Sequence, residues 1–401
     1  MRLHWQILIA LVAGAGCGTG LPAATPYIAW IGSLFMNALS MLIVPILFFS
    51  IVTGIADIQN PGAGLRKLGL KTGAFYLITM LIAAVTGLCM VNLLQPGGSV
   101  IIEHTAAISG KMGQSSVANI IAELIPKNIF YAFSQNNTIP VILIAIVTGV
   151  CLSRISAEGR SAIRHLIKGG WEITMLATKK VVGFSPIGIF AITMGQFSAT
   201  EDFFSLIRAM LMYVVTVGVG LCLHTFAWLP LMLRCYKVKP WQHFKNMSTP
   251  LLTAFSTASS GATLPTTLYA VEHNDGISSK VTRFTIPLGS AINMDGAALF
   301  ECVAVIFIAQ VYGIELSIFQ QMLIVCASLL CAVGSAGIPM AALVMMTVIL
   351  NIVGLPLEGI GLVVGVDRML DMMRTAVNVY GDTCVAVMVA KSEGEALSID
   401  R

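Results

Sequence analysis

Six polar side chains, Asp367, Asp371, Arg374, Thr375, Asn378 and Asp382, punctuate a segment running from Val366 to Asp382 that is otherwise mostly apolar, Arg368 excepted. At ~100° per residue they fall within an arc of roughly 100° on one helix face. A carboxylate or guanidinium at mid-membrane costs roughly 3 kcal/mol, so four charges on one buried face mark a function. Helical spacing also permits internal salt bridges such as Asp371 to Arg374, and for Asp367 that reading stands beside the functional one. A second polar set lies in residues 287–296 (PLGSAINMDG), where Asn293 and Asp295 interrupt an apolar helix that Gly289 and Gly296 loosen. Loosened turns free carbonyl oxygens, which hard cations prefer in company with carboxylates and amides. Asn293, Asp295, Asn378 and Asp382 therefore read as sodium ligands, although a single Asn in a span also serves helix packing.

These residues need a membrane around them. The 401 residues are 57% hydrophobic and 10% charged, with a mean hydropathy of +0.87. Soluble domains carry about 25% charged residues. The chain is expected to be an all-α polytopic membrane protein. A net charge of +4 with no basic stripe excludes a nucleic-acid partner. The nine cysteines form no CxxC pair and have no histidine at ligand spacing, so they read as core or lipid-facing residues.

Apolar windows of about 20 residues place spans near 5–29, 32–55, 69–94, 116–152, 170–198 and 204–233. The first resembles a signal peptide but is read as a retained span, because the apolar character continues. Cations gather after alternate spans: Arg66, Lys67 and Lys71, then Arg154, Arg160, Arg164 and Lys168, then Arg234, Lys237, Lys239 and Lys245. The positive-inside rule makes these loops, and both termini, cytoplasmic.

The second half is organised differently. Two apolar stretches break at small and turn-forming residues, at 258–265 (ASSGATLP) and at 333–339 (VGSAGIP). Each break leaves arms of roughly 12 to 16 residues, too short to span. Such arms suit re-entrant helical hairpins at 243–272 and 317–351, followed by helices at 279–311 and 356–391. Flanking charges aim the hairpins oppositely, the first entering from the cytoplasm and the second from outside. Oppositely oriented interrupted segments are the mark of an inverted-repeat transporter whose site lies where the unwound tips meet.

The two broken tips, Asn293-Met-Asp-Gly296 and the run from Asp371 to Asp382 resemble the glutamate/aspartate transporters of the dicarboxylate/amino acid:cation symporter family. Residues 41–48 (MLIVPILF) and 125–128 (IPKN) extend the resemblance over nearly the whole chain. It implies eight transmembrane helices plus the two hairpins, and a homotrimer working as an elevator in a bacterial-type inner membrane. Residues 1–68 and 116–233 would be mainly scaffold, with the sixth helix in the transport domain. The transport domain would add 69–115 and 234–401.

Carried over by residue, the resemblance gives Arg374 the side-chain carboxylate of an acidic amino acid and Asp371 its ammonium group. Asn378 and Ser260 would hold the α-carboxylate, helped by Ala258, Ser259, Ile338 and Ala342, with Thr375 and Ala297 lining the pocket. Sodium would bind through Tyr76, Thr79, Gly289, Ala291, Asn293, Asp295, Ala332, Val333, Ser335, Asn378 and Asp382. No other cofactor is implied. Neutral amino acid carriers tend to lack the arginine, and C4-dicarboxylate carriers the aspartate matching Asp371; both residues are present here. Asp382 favours sodium over protons, since proton-coupled relatives often have Asn there. Three departures stand out: Ala297 and Ala291 each replace a usual Thr, and Met80 replaces a hydroxyl residue beside Tyr76 and Thr79.

Two other classes were weighed. An intramembrane protease would need Asp295 and Asp371 as a proton-sharing dyad, and Arg374 one turn away keeps Asp371 ionised. No GxSxG or HExxH motif occurs, so no enzyme is expected. A passive channel has no use for the triple Asp371, Arg374 and Asn378.

Overall fold

The computed structural model describes residues 3–58, 63–98, 125–135, 138–152, 154–198, 203–334 and 341–400. All regular structure among them is helical. The first half comprises α1 (Leu3–Gly20), α2 (Thr25–Ile58), α3 (Ala63–Leu94), α4 (Ile129–Ser134), α5 (Thr138–Leu152), α6 (Ala157–Gly183) and α7 (Ser185–Ser198). Next come α8 (Phe203–Leu223), a π-helical turn at His224–Trp228, α9 (Leu229–Cys235) and α10 (Pro240–Asn246). The remainder is α11 (Ser248–Thr257), α12 (Ser260–His273), α13 (Ser279–Ile292), α14 (Asp295–Val311), α15 (Ile318–Gly334), α16 (Ala341–Val353) and α17 (Ile360–Ser392).

Prolines account for two departures from the hydropathy reading. The first two spans divide at Leu21–Ala24 rather than near residue 30, and the helices there are bent by 107°. Pro22 and Pro26 remove backbone donors, so no helix can run through. The expected span 170–198 breaks at Phe184, because Pro186 sits in the first turn of α7. On the other side of that break, α6 reaches back to Ala157 and takes in Arg160, Arg164 and Lys168, three of the four basic residues read as a loop.

By length and composition three helical stretches among the described residues can cross a membrane, 68–94, 204–235 and 279–311, or four if the bent pair counts as one. The last of these is interrupted. Asn293 and Met294 adopt extended and intermediate backbone angles between α13 and α14. α17 drops out of that set because its charged face lowers its hydropathy, yet most of its residues are buried.

α1 packs on α7, and α2 packs on α5, α6 and α7, forming one body. The other centres on α14, where Gln310 alone is not fully buried, enclosed by α3, α8, α15, α16 and α17. Tyr213 of α8 stacks on Phe307 with centroids 4.7 Å apart. A second apolar cluster joins α9, α12, α13 and the C-terminal half of α17. At that end Lys71 pairs with Glu393, His243 Nδ1 lies 2.7 Å from Asp275 Oδ2, and Ser398 N donates to the Asp275 carbonyl at 3.0 Å. This is the end that charge counting assigns to the cytoplasm.

Over most of the stretch expected as the first hairpin lie two helices, α11 and α12, packed against each other. Their hinge is Ala258, held at φ +50°, ψ +43°, where an L-residue pays about 1–2 kcal/mol. Ser259 caps α12 by accepting from Ala262 N at 3.3 Å. α15 and α16 are likewise packed together, while the tip between them, 335–340, lies outside the described residues.

A branched side chain strains this hinge further. Ala258→Val is expected to lower the thermal midpoint of the purified protein by the equivalent of about 1–2 kcal/mol, and Ala258→Gly not to lower it. Equal effects of both would mean the hinge angle is not what holds the break.

Candidate ligand-binding site

Charge is concentrated where α17 passes α14. Arg374 is buried, with its guanidinium carbon 3.8 Å from the ring centroid of Phe300 on α14. Its Nη2 donates to Asp367 Oδ1 at 2.9 Å and to Asp371 Oδ1 at 3.0 Å. Each pairing follows from helical register, one turn and two turns back along the same face. Asp367 thus forms the salt bridge that was one of its two readings. Arg368 stands at the rim, 36% exposed, 3.6 Å from Asp371 Oδ2.

The pairing leaves capacity over. Arg374 Nη1, Asp367 Oδ2 and Asp371 Oδ2 are buried without a hydrogen-bond partner among the described residues. Unsatisfied buried charged atoms cost several kcal/mol unless something binds them, so this face offers both a cationic donor and anionic acceptors to a ligand. Two turns further on, Asn378 Oδ1 accepts from Gly296 N at 2.7 Å, which fixes the start of α14 against α17. Thr375 Oγ1 donates to the Asp371 carbonyl at 2.7 Å.

A second cluster surrounds the α13–α14 break. Asn293 Nδ2 donates to Asp382 Oδ1 at 2.9 Å, and Thr79 Oγ1 donates to Asn293 Oδ1 at 3.3 Å. The Tyr76 hydroxyl donates to the Thr285 carbonyl at 2.8 Å. Gly289 lets these groups converge: a methyl there would lie 2.5 Å from both the Tyr76 oxygen and Asp382 Oδ1. Gly381 does the same for Asp295, since a methyl would sit 3.3 Å from its carboxylate carbon and 3.2 Å from Asn293 Nδ2. Asp295 Oδ1 is buried and unpartnered among the described residues. No group of three His, Cys, Asp or Glu ligands occurs among them either. An oxygen-rich cluster without imidazole or thiolate ligands in number fits a hard monovalent cation and not zinc.

The other expected residues are placed less directly. Ala258, Ser259 and Ser260 form the α11–α12 hinge, with Ala258 and Ser260 buried. No hydrogen bond among the described residues joins that hinge to α17. Ala297 is buried in the first turn of α14, and Ala291 is half-buried in the last turn of α13. Ala332 and Ala342 are buried near the ends of α15 and α16 that lead to the second tip. Val333 is in α15, its side chain outside the described set; Ser335 and Ile338 lie outside the described residues altogether.

Four participants escaped the sequence reading. Phe300 carries the guanidinium, and Tyr213 has a buried, unpartnered hydroxyl. His224 Nε2 lies 3.1 Å from Asp295 Oδ2, and Glu301 is buried with neither oxygen hydrogen-bonded among the described residues. His224 and Glu301 were legible as lone ionisable residues within apolar runs, a signal that holds even without a cluster. The π-helical turn beginning at His224 is the local irregularity that often accompanies such a residue.

A polytopic helical protein with dry, unsatisfied charges at its centre is built as a carrier of charged solutes. The chain belongs to the sodium:dicarboxylate symporter family, whose profile matches residues 3–392. It is a transporter and not an enzyme, which removes the protease alternative. It is 32% identical over 407 residues to the proton/sodium-glutamate symport protein of Bacillus caldotenax, covering 98% of this chain and 95% of that one. It is 30% identical over 412 residues to the proton/glutamate-aspartate symporter of Escherichia coli (strain K12), covering 98% and 93%. It is 33% identical over 452 residues to excitatory amino acid transporter 2 of Homo sapiens, covering 96% and 78%.

Replacing Arg374 by Met leaves two buried carboxylates with no counter-charge, and breaking a buried pair this way costs about 3–5 kcal/mol. Thermal unfolding in detergent should register that loss, and adding Asp367→Asn to Arg374→Met should restore part of it. No recovery in the double variant would mean the Asp367 pairing contributes nothing.

Proposed function

We propose that this chain carries L-glutamate or L-aspartate across the cell's inner membrane in symport with sodium. The observation that carries the reading is the buried Arg374 with its unpartnered Nη1 beside two carboxylates, each with one oxygen that accepts no hydrogen bond among the described residues. An acidic amino acid carries two carboxylates and one ammonium group, and these charges complement such a site. Arg374 takes the side-chain carboxylate through its planar fork, and Asp371 takes the ammonium group. Asn378 and Ser260 receive the α-carboxylate, with Ala258, Ser259, Ile338, Ala342, Thr375 and Ala297 around it. Ala297 offers no hydroxyl to the substrate side chain, so both aspartate and glutamate fit the reading.

Sodium is co-transported through the oxygen cluster of Tyr76, Thr79, Asn293, Asp295, Asn378 and Asp382, with backbone oxygens of Gly289, Ala291, Ala332, Val333 and Ser335. The close approach of Tyr76 and Asp382 over Gly289 supports this assignment. Proton coupling is the second reading, and the buried His224–Asp295 pair favours it. The Bacillus caldotenax relative is named for both ions, and the Escherichia coli relative for the proton alone.

Eight transmembrane helices and two oppositely oriented re-entrant hairpins complete the architecture, with both termini cytoplasmic. The packing of α11 on α12, and of α15 on α16, supports the hairpins. Residues 69–115 and 234–401 with the sixth helix move as the transport domain against a scaffold assembled as a homotrimer.

In proteoliposomes, an inward sodium gradient should drive saturable uptake of labelled L-aspartate or L-glutamate, and Arg374→Ala should lower it at least about 100-fold, the loss of one buried charge-assisted contact of about 3 kcal/mol. Uptake driven only by a proton gradient would keep the substrate and replace the ion; absence of uptake under either gradient would sink the reading. Gly289→Ala forces Asp382 and Tyr76 apart. It should raise the half-saturating sodium concentration about tenfold or more, with substrate affinity at saturating sodium little changed. An unaltered sodium dependence would remove Gly289 and Asp382 from the ion site.

A further inference from the structure

Away from the central site, the N-terminal turns of α6 wall a cavity of about 640 Å³ together with Thr53 of α2 and Leu152 of α5. Three cations, Arg160, Arg164 and Lys168, line it at spacings of four residues. Trp171 lies on the same strip, and at ~100° per residue the four side chains share an arc of roughly 80°. Arg160 donates through Nη2 to the Ile155 carbonyl at 3.0 Å, while its Nε is buried with no hydrogen-bond partner among the described residues.

From Ile163 onward the other side of α6 exposes large apolar side chains, with Glu158 and His165 beside them. Ile163 is 39% exposed, Leu166 67%, Ile173 70% and Leu176 64%. In a membrane protein such a face lies in lipid, so the cationic strip stands at the depth where headgroups give way to chains. The cavity also changes character along the helix. Arg160 and Arg164 lie nearest the N-terminus of α6, and Trp171 comes about 16 Å further along the axis than Arg160 and about 4.5 Å beyond Lys168, with buried Ile167 between the last two cations and buried Leu152 also in the lining.

We propose that this cavity is a binding site for an anionic phospholipid, with the phosphate held by Arg160, Arg164 and Lys168 and the first part of an acyl chain lying along Ile167 and Trp171. The common chemistry is a phosphate anion, which a soluble phosphate also offers. The apolar continuation and the lipid-facing neighbours favour the lipid as its source. Basic pockets between membrane helices are suited to such headgroups, each cation near the surface adding about 1 kcal/mol. The site is separate from the charged face of α17 and does not depend on the substrate reading.

The test uses the full chain in vesicles of neutral phosphatidylcholine containing a minor fraction of brominated phosphatidylglycerol or, in a parallel set, brominated phosphatidylcholine. Trp171 quenching is the difference between this chain and its Trp171→Phe variant, because five tryptophans are present. The brominated anionic lipid should quench Trp171 well beyond the neutral one, and Arg160→Gln with Arg164→Gln should lower relative affinity for the anionic lipid about thirty-fold, two contacts at about fivefold each. Lys168→Gln, a milder change, should lower it about fivefold if the double variant does not fold. Equal quenching by the two lipids would overturn the proposal. So would loss of the preference on adding inorganic phosphate, which would assign the cavity to a soluble anion. Both leaflets have the same composition, so the outcome is independent of which side of the membrane the cavity faces.

Discussion

A guanidinium held out of water is the constraint around which the second half of this protein is arranged. Arg374 would be untenable alone in the core, where an uncompensated charge costs several kcal/mol. Two carboxylates from its own helix and the face of Phe300 from α14 make it tolerable. The compensation comes mostly from α17 itself, so α17 can carry its charges as one unit. What α14 must supply is a ring at the correct height and a close backbone, and Gly296 N reaching Asn378 provides the second.

That close contact explains why α13 and α14 cannot be one continuous helix. A helix running unbroken from Ser279 to Val311 would satisfy all its own amides and carbonyls internally, leaving none for a ligand or for Asn378. The break at Asn293 and Met294 frees polar backbone at membrane depth, which survives only where protein encloses it. α3, α8 and α17 provide that enclosure, with Thr79 directed at the break and Tyr76 bonded to the Thr285 carbonyl two turns before it. Irregularity and burial are therefore two sides of one arrangement.

Most of this was legible because it rests on local periodicity. The polar face of α17 follows from helical spacing alone, and the α11–α12 hinge from a run of small residues before Pro265. Proline positions, read with equal weight, would also have placed the breaks at Leu21–Ala24 and Phe184; hydropathy windows average across them. The pairing partners were not legible. Nothing in the spacing of Asp295 and His224, 71 positions apart, shows that α8 passes α14, nor that Phe300 faces Arg374. Such contacts depend on how helices cross, and one sequence carries no record of that. In the sequence the strip on α6 shows only as cations suited to a loop, because positive-inside counting treats basic residues as topological marks and is blind to the helix face they share.

The distribution of spare hydrogen-bonding capacity constrains how a ligand is chosen. Arg374 spends Nη2 on both carboxylates and keeps Nη1, so an incoming carboxylate adds to the existing pairing without displacing it. An ammonium group bound at Asp371, as proposed above, would share Oδ2 with Arg368, whose Nη1 lies 3.6 Å from it. A molecule with only the acid group adds negative charge beside two carboxylates, and one with only the amine leaves Nη1 orphaned in a dry site. Rejection of such partial ligands follows from charges left unpaired, which is costlier than a poor steric fit. The same logic makes the site hard to relax by a single substitution: removing any one of the three charged side chains changes the pairing of the other two as well as the ligand's.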